Sequence, residues 1–440
     1  MVGARSASAF DAAQRVFPDG ITRITVERLP RPRYVAHAAG AYFTDVDGRR
    51  FLDLNNNYTT LIHGHAFPPV VEAVTRQIRD GSCFANPTES EIHLAKLIID
   101  RVPLIDAVRF VSTGTEAVMF AIKAARAFTG RHKIAKIEGC YHGAYDVAEV
   151  SQSSGPDGWG DPDEPARVAN YNGAPPSLRD DVVVLRFNAI EATRRLLETH
   201  AMDLAAVLID PMPSRAGLIA PEPEFILAIQ DVCRRHGILV ISDEVLNFRQ
   251  GYSGAATRYG LEPDLFSLGK IIGGGLPIGA VAGRADVMQV FSSASGRTRL
   301  PQGGTFAANP LSMVAGLAAM RALGQAAFDH LERTGDAVRE RLTMAIRERQ
   351  APFCVVGAAS LFRIHPRRRA PRDFRESYMS PAQSQIMLEL WRFFQDASVN
   401  LPNGASACLS VPMGDEEIDR ITSVFERFLD KKAQWLAELN

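Results

Sequence analysis

The sequence predicts an α/β protein: a largely parallel sheet covered by helices on both faces, followed by a smaller α+β unit. Three observations carry this expectation. Between about residues 108 and 241, short unbroken runs of Val, Ile and Leu alternate with helical stretches, the pattern of strands buried on both faces. Small, hydroxylic or acidic residues follow several of these runs, at the strand ends where open α/β sheets bind ligands. Beyond about residue 330 the alternation gives way to helices separated by short strands.

The stretch up to about Leu54 is turn-rich and contains a hairpin, with Asp47-Gly48 between two alternating segments. A helix follows, carrying Val70, Val71, Val74 and Ile78 on one face. Next come a strand over 108–111, a helix over 115–128 that starts just after Gly114, and a strand over 133–137. An apolar strand over 205–209 precedes a helix over 224–235, and the strand 238–241 runs into Ser242-Asp243-Glu244. A further short apolar strand leads to Lys270 and a glycine-rich loop. Residues 151–180 are polar, rich in Gly, Pro and Asp, and nearly aperiodic, as in lids or disordered segments. In the C-terminal part, helices are expected after about 330, from about Pro381 and at the end, with strands near 361–364 and 408–411.

The length, 440 residues, favours two or three domains or one large α/β domain with an appendage. A formal net charge of −1 gives no pointer to nucleic acid or to an anionic membrane as partner. Five cysteines, widely spaced and without a Cys-x-x-Cys pair, argue against a disulfide framework and a thiolate zinc site. The first residues lack the apolar core of a signal peptide, and no apolar run approaches the ~20 residues that span a bilayer. A cytoplasmic protein is expected.

Three local features suggest chemistry. Ser112-Thr113-Gly114-Thr115-Glu116-Ala117 joins a strand to a helix start, where free backbone amides and the helix dipole suit a phosphate. Asp243 directly follows a buried strand, a costly place for a carboxylate unless a cation such as a pyridinium meets it. Lys270 lies between an apolar strand and a glycine-rich loop, where a buried amine can lose its proton and attack a carbonyl. Each has an ordinary reading when taken alone: a helix N-cap, an aspartate capping a turn, a surface lysine. In this order, with the aromatic platform Tyr141-His142-Gly143, they make the set that pyridoxal 5'-phosphate requires.

The chain resembles the class III aminotransferases of fold type I, in the branch containing glutamate-1-semialdehyde aminomutase. The resemblance rests on Arg-Phe-Val-Ser-Thr-Gly-Thr-Glu-Ala (109–117), Ala-Arg-Ala-Phe-Thr-Gly-Arg (125–131), Glu-Gly-Cys-Tyr-His-Gly (138–143) and Asp-Glu-Val (243–245). It continues in Leu-Gly-Lys-Ile-Ile-Gly-Gly-Gly-Leu-Pro-Ile-Gly (268–279) and Gly-Gly-Thr-Phe-Ala-Ala-Asn-Pro (303–310), and runs from about residue 18 to 430. It implies a large domain with a mostly parallel seven-stranded sheet over 66–325. A small α+β domain is expected from 326–440, joined by the N-terminal segment 1–65.

The resemblance also implies roles. Thr113, Gly114 and Thr115 hold the phosphate; Tyr141 and Val245 press on the two faces of the pyridine, with His142 beside it. Asp243 pairs with the ring nitrogen, and Lys270 carries the Schiff base and moves protons. Thr305 reaches the phosphate of the neighbouring subunit, so a homodimer is implied. His63 and His65 could suggest a metal pair, but His-Gly-His-Ala-Phe-Pro resembles a family loop, and no metal is expected.

The substrate is read from departures. Residues 151–180 lack the serine/glycine signature of the aminomutase lid, 401–410 hold no acidic residue, and the family's usual Glu-Pro is Asp210-Pro211. These count against an aminomutase. Arg23, in Pro-Asp-Gly-Ile-Thr-Arg, instead resembles the position where β-amino-acid aminotransferases hold the substrate carboxylate with an arginine, and Asn-Tyr-Thr (57–59) resembles an active-site Tyr-Thr segment of those enzymes that puts Tyr58 near the substrate. Residues 401–410 also lack the second arginine of those enzymes, and the Arg367-Arg368-Arg369 run reads as a solvated face. The expectation is an aminotransferase moving nitrogen from an amino acid, β-amino acids among the candidates, to a 2-oxo acid. Intramolecular amino transfer and racemisation would use the same residues. Intact Lys270 and Asp243 argue against a non-catalytic homologue.

Overall fold

The computed structural model describes residues 3–26, 31–294, 296–404 and 406–438. Seven strands form the central sheet: β1 (Ala107–Val111), β2 (Lys133–Ile137), β3 (Val182–Leu185), β4 (Leu204–Ile209), β5 (Leu239–Asp243), β6 (Leu265–Gly269) and β7 (Gly279–Gly283). Their order is β1-β7-β6-β5-β4-β2-β3. β2 to β6 pair in parallel, and β7 runs antiparallel to both of its neighbours. Every residue of β3, β4, β5, β6 and β7 is buried. That explains the unbroken apolar runs: with helices on both faces, each Val, Leu or Ile side chain removed from water is worth about 1.5–3 kcal/mol.

The helix Gly114–Thr129 lies against the sheet through Ala117, Ala121, Ala124 and Ala125, small side chains that let it approach closely. Thr113 caps its start and Gly130, in the left-handed region at φ 73°, ends it. The helix Pro223–His236 begins with proline and ends at Gly237, φ 61°, by the same logic.

A second core lies apart from the central sheet. Strands Val35–Ala39, Tyr42–Asp45 and Arg50–Asp53 form an antiparallel meander, and Val399–Asn400 adds to it in parallel. Strands Cys354–Val356, Leu361–His365 and Ala407–Cys408 form a three-stranded sheet. Helices Gln325–Glu348, Pro381–Asp396 and Asp415–Glu438 cover them, and Leu52, Phe362, Phe394, Phe425 and Phe428 fill the interior. N-terminal and C-terminal residues thus share one core.

Several elements differ from the expectations. The strand expected over 408–411 shrinks to Ala407–Cys408, because Leu409 and Val411 pair instead with Ser360 and Ile62 outside any strand. β3 and β7 have no counterpart in the sequence reading: β3 follows an aperiodic stretch, and Gly-Ala-Val-Ala-Gly lacks bulky side chains. The glycines of β7 are nonetheless required, since a Cβ at Gly279 would come within 2.0 Å of the Thr113 carbonyl. The segment 151–180 is structured. Trp159 packs edge-on against Phe374 and Tyr378, and Arg375 holds the carbonyls of Trp159 and Gly160. The helix Pro68–Asp80 forms as expected, but no residue of it is fully buried, and Val71 and Ile78 face outward. No single helix among the described residues is long and apolar enough to cross a membrane.

Candidate active site

The site is assembled at the carboxyl ends of β1, β5 and β6. Asp243 is the last residue of β5 and is buried. Its Oδ2 accepts from His142 Nδ1 at 2.7 Å, and its Oδ1 accepts from Ser267 Oγ at 2.9 Å and the Val245 amide at 3.1 Å. Burial alone would raise this carboxyl's proton affinity, but the three donors outweigh it and hold Asp243 below the usual carboxylate range. An ionised carboxylate only accepts, so His142 carries its proton on Nδ1. Burial holds the His142 imidazole neutral, leaving its buried Nε2 without a partner among the described residues. Asp243 retains room for one further donor.

Lys270 follows β6 directly and holds a left-handed φ of 49°, a strained conformation for a side chain that long. Desolvation lowers its amine below the usual lysine range, against the attraction of Asp243 and Asp210 and with the help of the Arg249 guanidinium. An amine so placed gives up its proton more readily near neutral pH.

The helix start is prepared for an anion. Thr113 Oγ1 takes the Glu116 amide, and the Thr113 carbonyl takes that of Ala117, which leaves the amides of Gly114 and Thr115 to a ligand. Thr115 Oγ1 receives the Ala144 amide at 3.3 Å, tying this turn to the Tyr141-His142-Gly143 segment. A Cβ at Gly114 would sit 2.9 Å from Val245 Cγ1, so only glycine lets Val245 project beside the helix start. Val245 also packs against Gly269, one residue before Lys270. Tyr141 is 46% exposed and the Arg215 guanidinium lies 4.6 Å from its ring centre.

These residues fit pyridoxal phosphate. The free first-turn amides and hydroxyls suit its phosphate, the glycine-backed space by Val245 suits a flat ring, and buried ionised Asp243 suits a pyridinium N–H. A desolvated Lys270 suits covalent attachment through its Nζ.

Arg23 and Tyr58 stand elsewhere. Both line a cavity of about 540 Å³ whose walls include neither Lys270 nor Asp243. The Arg23 guanidinium lies 5.5 Å from the Tyr58 ring centre and 3.5 Å from Asn57 Oδ1, and Tyr58 Oη donates to the Thr25 carbonyl at 2.8 Å. Asn56, Asn57, Tyr58 and Thr59 form one turn with left-handed φ of 47–73°. Asparagine tolerates that region; tyrosine and threonine do not without help. Help comes from Asn55 Oδ1, which takes the Tyr58 amide, and from buried Arg249, which donates to the Thr59 carbonyl at 2.8 Å. Arg249 also holds Ser360 Oγ and the Leu409 carbonyl, so one guanidinium ties this turn to the second core.

Thr305 is exposed on a loop that touches Cys83 rather than any residue described above. His63 Nε2 meets the Ala319 carbonyl and His65 Nε2 meets Asp53 Oδ2, both at 2.8 Å, so the two rings serve different partners. Arg367 and Arg368 bind the carbonyls of Tyr378 and Gln350.

Ser267, Arg215 and Arg249 were not anticipated. Ser267 could have been found as the one polar side chain inside apolar β6, level with Asp243. Arg215 and Arg249 carry no sequence signal, since each acts through a contact remote along the chain.

Known proteins resemble this chain over most of its length. The family profile of the class-III aminotransferases matches residues 24–368. The glutamate-1-semialdehyde 2,1-aminomutase of Methanothermobacter thermautotrophicus is 36% identical over 413 residues, 94% of this chain and 95% of that protein. An omega-transaminase from Sphaerobacter thermophilus superposes with a TM-score of 0.93 at 46% identity, covering 97% of this chain and 98% of that one. A β-phenylalanine aminotransferase from Variovorax paradoxus superposes with a TM-score of 0.87 at 29% identity, over 99% and 96%. Strand-end lysine and aspartate, glycine-lined helix start and whole-chain likeness agree: the chain belongs to the class-III aminotransferases and is a pyridoxal-phosphate-dependent enzyme.

Proposed function

We propose that this enzyme moves the amino group of a carboxylate-bearing amine, β-amino acids among them, to a 2-oxo acid. The observation that carries the substrate class is Arg23. Among the described residues no carboxylate pairs with it, and it stands beside Tyr58 on the wall of a large cavity. A guanidinium on a cavity wall is matched to a substrate carboxylate by its two parallel N–H donors. The name of the Variovorax paradoxus enzyme supports a β-amino acid.

Bound pyridoxal phosphate supplies the electron sink for the bond broken at the amine-bearing carbon. The chain's own residues do the rest. Asp243 would accept from the ring N–H, the Gly114 and Thr115 amides with the Thr113 and Thr115 hydroxyls would hold the phosphate, and Tyr141 and Val245 would confine the ring. Lys270 Nζ would take the proton from the substrate carbon and return it. The enzyme works as a homodimer: the exposed loop bearing Thr305 and Phe306 adjoins Cys83 and Ser82, near exposed Phe84 and the outward Val71 and Ile78. Exposed apolar side chains of this kind suit an interface.

The test is a half-reaction screen of α-amino, β-amino and simple amine donors, following the absorbance of the bound cofactor. A β-amino acid is expected to react fastest. Arg23→Ala should raise KM for carboxylate donors about tenfold or more, the loss of a charge-assisted bond, while amines without a carboxylate stay unaffected. Equal losses for both classes would remove the carboxylate role. Intramolecular transfer is the second reading, favoured by the 36% identity to an aminomutase. Stoichiometric keto product decides for transfer.

A further inference from the structure

Three carboxyl groups stand in a row where the parallel strands leave the sheet. β2 and β4 are in register at Lys136 and Leu208, and β4 and β5 at Ile209 and Ser242. Glu138, Asp210 and Asp243 therefore fall at one height on neighbouring strands, with Ser267 of β6 next in line. All three carboxyls are buried.

The outer two are answered. Glu138 receives two bonds from Arg375, at 2.8 and 3.1 Å, and Asp243 receives three donors on two oxygens. Asp210, between them, receives only the Met212 amide at 2.9 Å and the Asn247 carboxamide, both on Oδ1. Among the described residues no cation pairs with it and no bond reaches Oδ2. The Asn247 orientation is set from behind: Gln250 Nε2 donates to Asn247 Oδ1 at 2.5 Å, and Tyr259 Oη donates to Gln250 Oε1 at 2.8 Å. Both donors that reach Asp210 meet Oδ1, so a proton on Asp210 belongs on Oδ2.

Two buried carboxyls on adjacent strands do not both ionise without a cation between them. Asp243 has the better claim to the charge. The other ionisable groups facing Asp210 are Cys140, Tyr259 and Lys270. Burial and the Asp243 charge raise its proton affinity, and the pull of Lys270 and the two Oδ1 bonds do not offset them.

We propose that Asp210 is a neutral carboxylic acid whose Oδ2–H donates to an oxygen of the bound cofactor, a positioning residue that keeps the Asp210–Asp243 pair at a single negative charge. It rests on the cofactor assignment of Asp243 and Lys270. A second charge here would strengthen the hold of Lys270 on its proton and so weaken it as a nucleophile.

The test begins on the cofactor-free protein. At pH 7 its infrared spectrum should show the carbonyl band of an un-ionised buried carboxylic acid, lost in Asp210→Asn. That readout needs neither cofactor binding nor turnover, so it stands even if the cofactor assignment fails. In the loaded protein, Asp210→Asn keeps a donor and an acceptor, and should hold cofactor affinity within about threefold. Asp210→Leu should weaken it about tenfold, as for one lost hydrogen bond. No band in the wild type, or Asn weakening binding as much as Leu, would overturn the neutral acid. Unchanged affinity in the Leu variant would overturn the donor role.

Discussion

Lys270 shows how one residue is made chemically distinct by its surroundings. Its amine is held between two influences, desolvation with a nearby guanidinium on one side and the Asp243 and Asp210 carboxyls on the other, and the first prevails. The left-handed backbone at this position is stabilised by nothing in the lysine itself; the buried strand before it and the glycine turn after it impose it. Lys270→Ala should abolish turnover while the cofactor still binds through Asp243 and the helix start, now removable by dialysis. Residual turnover within about a hundredfold of wild type would show that another base moves the proton.

At the scale of the element, the strand Leu361–His365 joins the second core to the active-site loop after β4. His365 Nε2 meets the Gly217 carbonyl at 2.8 Å and Arg363 donates to the Ser214 carbonyl at 2.7 Å. Burial, with Arg363 and Arg367 nearby, pushes the His365 imidazole down to about 3. In the unfolded chain it takes a proton near 6.5, so the unfolded state binds more protons between these values and stability falls as pH drops through that window. The loss reaches about 2 kcal/mol by pH 5. His365→Gln keeps a donor for Gly217 and should flatten the denaturation free energy between pH 7 and 5; parallel curves for both proteins would dismiss the assignment. The strands around this link were partly legible. β4, whose following loop the link meets, announces itself as a bounded apolar run, whereas β7 is recognisable only from Thr113, against which its Gly279 packs.

At the scale of the whole molecule, Val71, Ile78, Phe84 and Phe306 are exposed apolar side chains, the ones proposed to meet a second copy of the chain. Phe306 is 60% exposed, a large aromatic side chain left in water beside Thr305. Sedimentation should return twice the chain mass, and Phe306→Asp combined with Ile78→Asp should shift it toward the monomer and weaken cofactor binding. A monomeric wild type that binds cofactor fully would remove Thr305 from the site.

The sequence by itself determined the fold class, the family and its cofactor, and pointed to the residues proposed to hold that cofactor. Thr113, Gly114, Thr115, Asp243 and Lys270 sit at strand ends, where local pattern and chemistry coincide within a few residues, and the α/β alternation follows from burial of both sheet faces. Tertiary structure alone decided what crosses long stretches of chain. Arg249 meets Thr59 and Leu409, Arg375 meets Glu138, and Asp210 falls between two other carboxyls only once three strands are in register. Such contacts leave no periodicity in the sequence, because a buried charge is answered by whichever partner the fold brings to it.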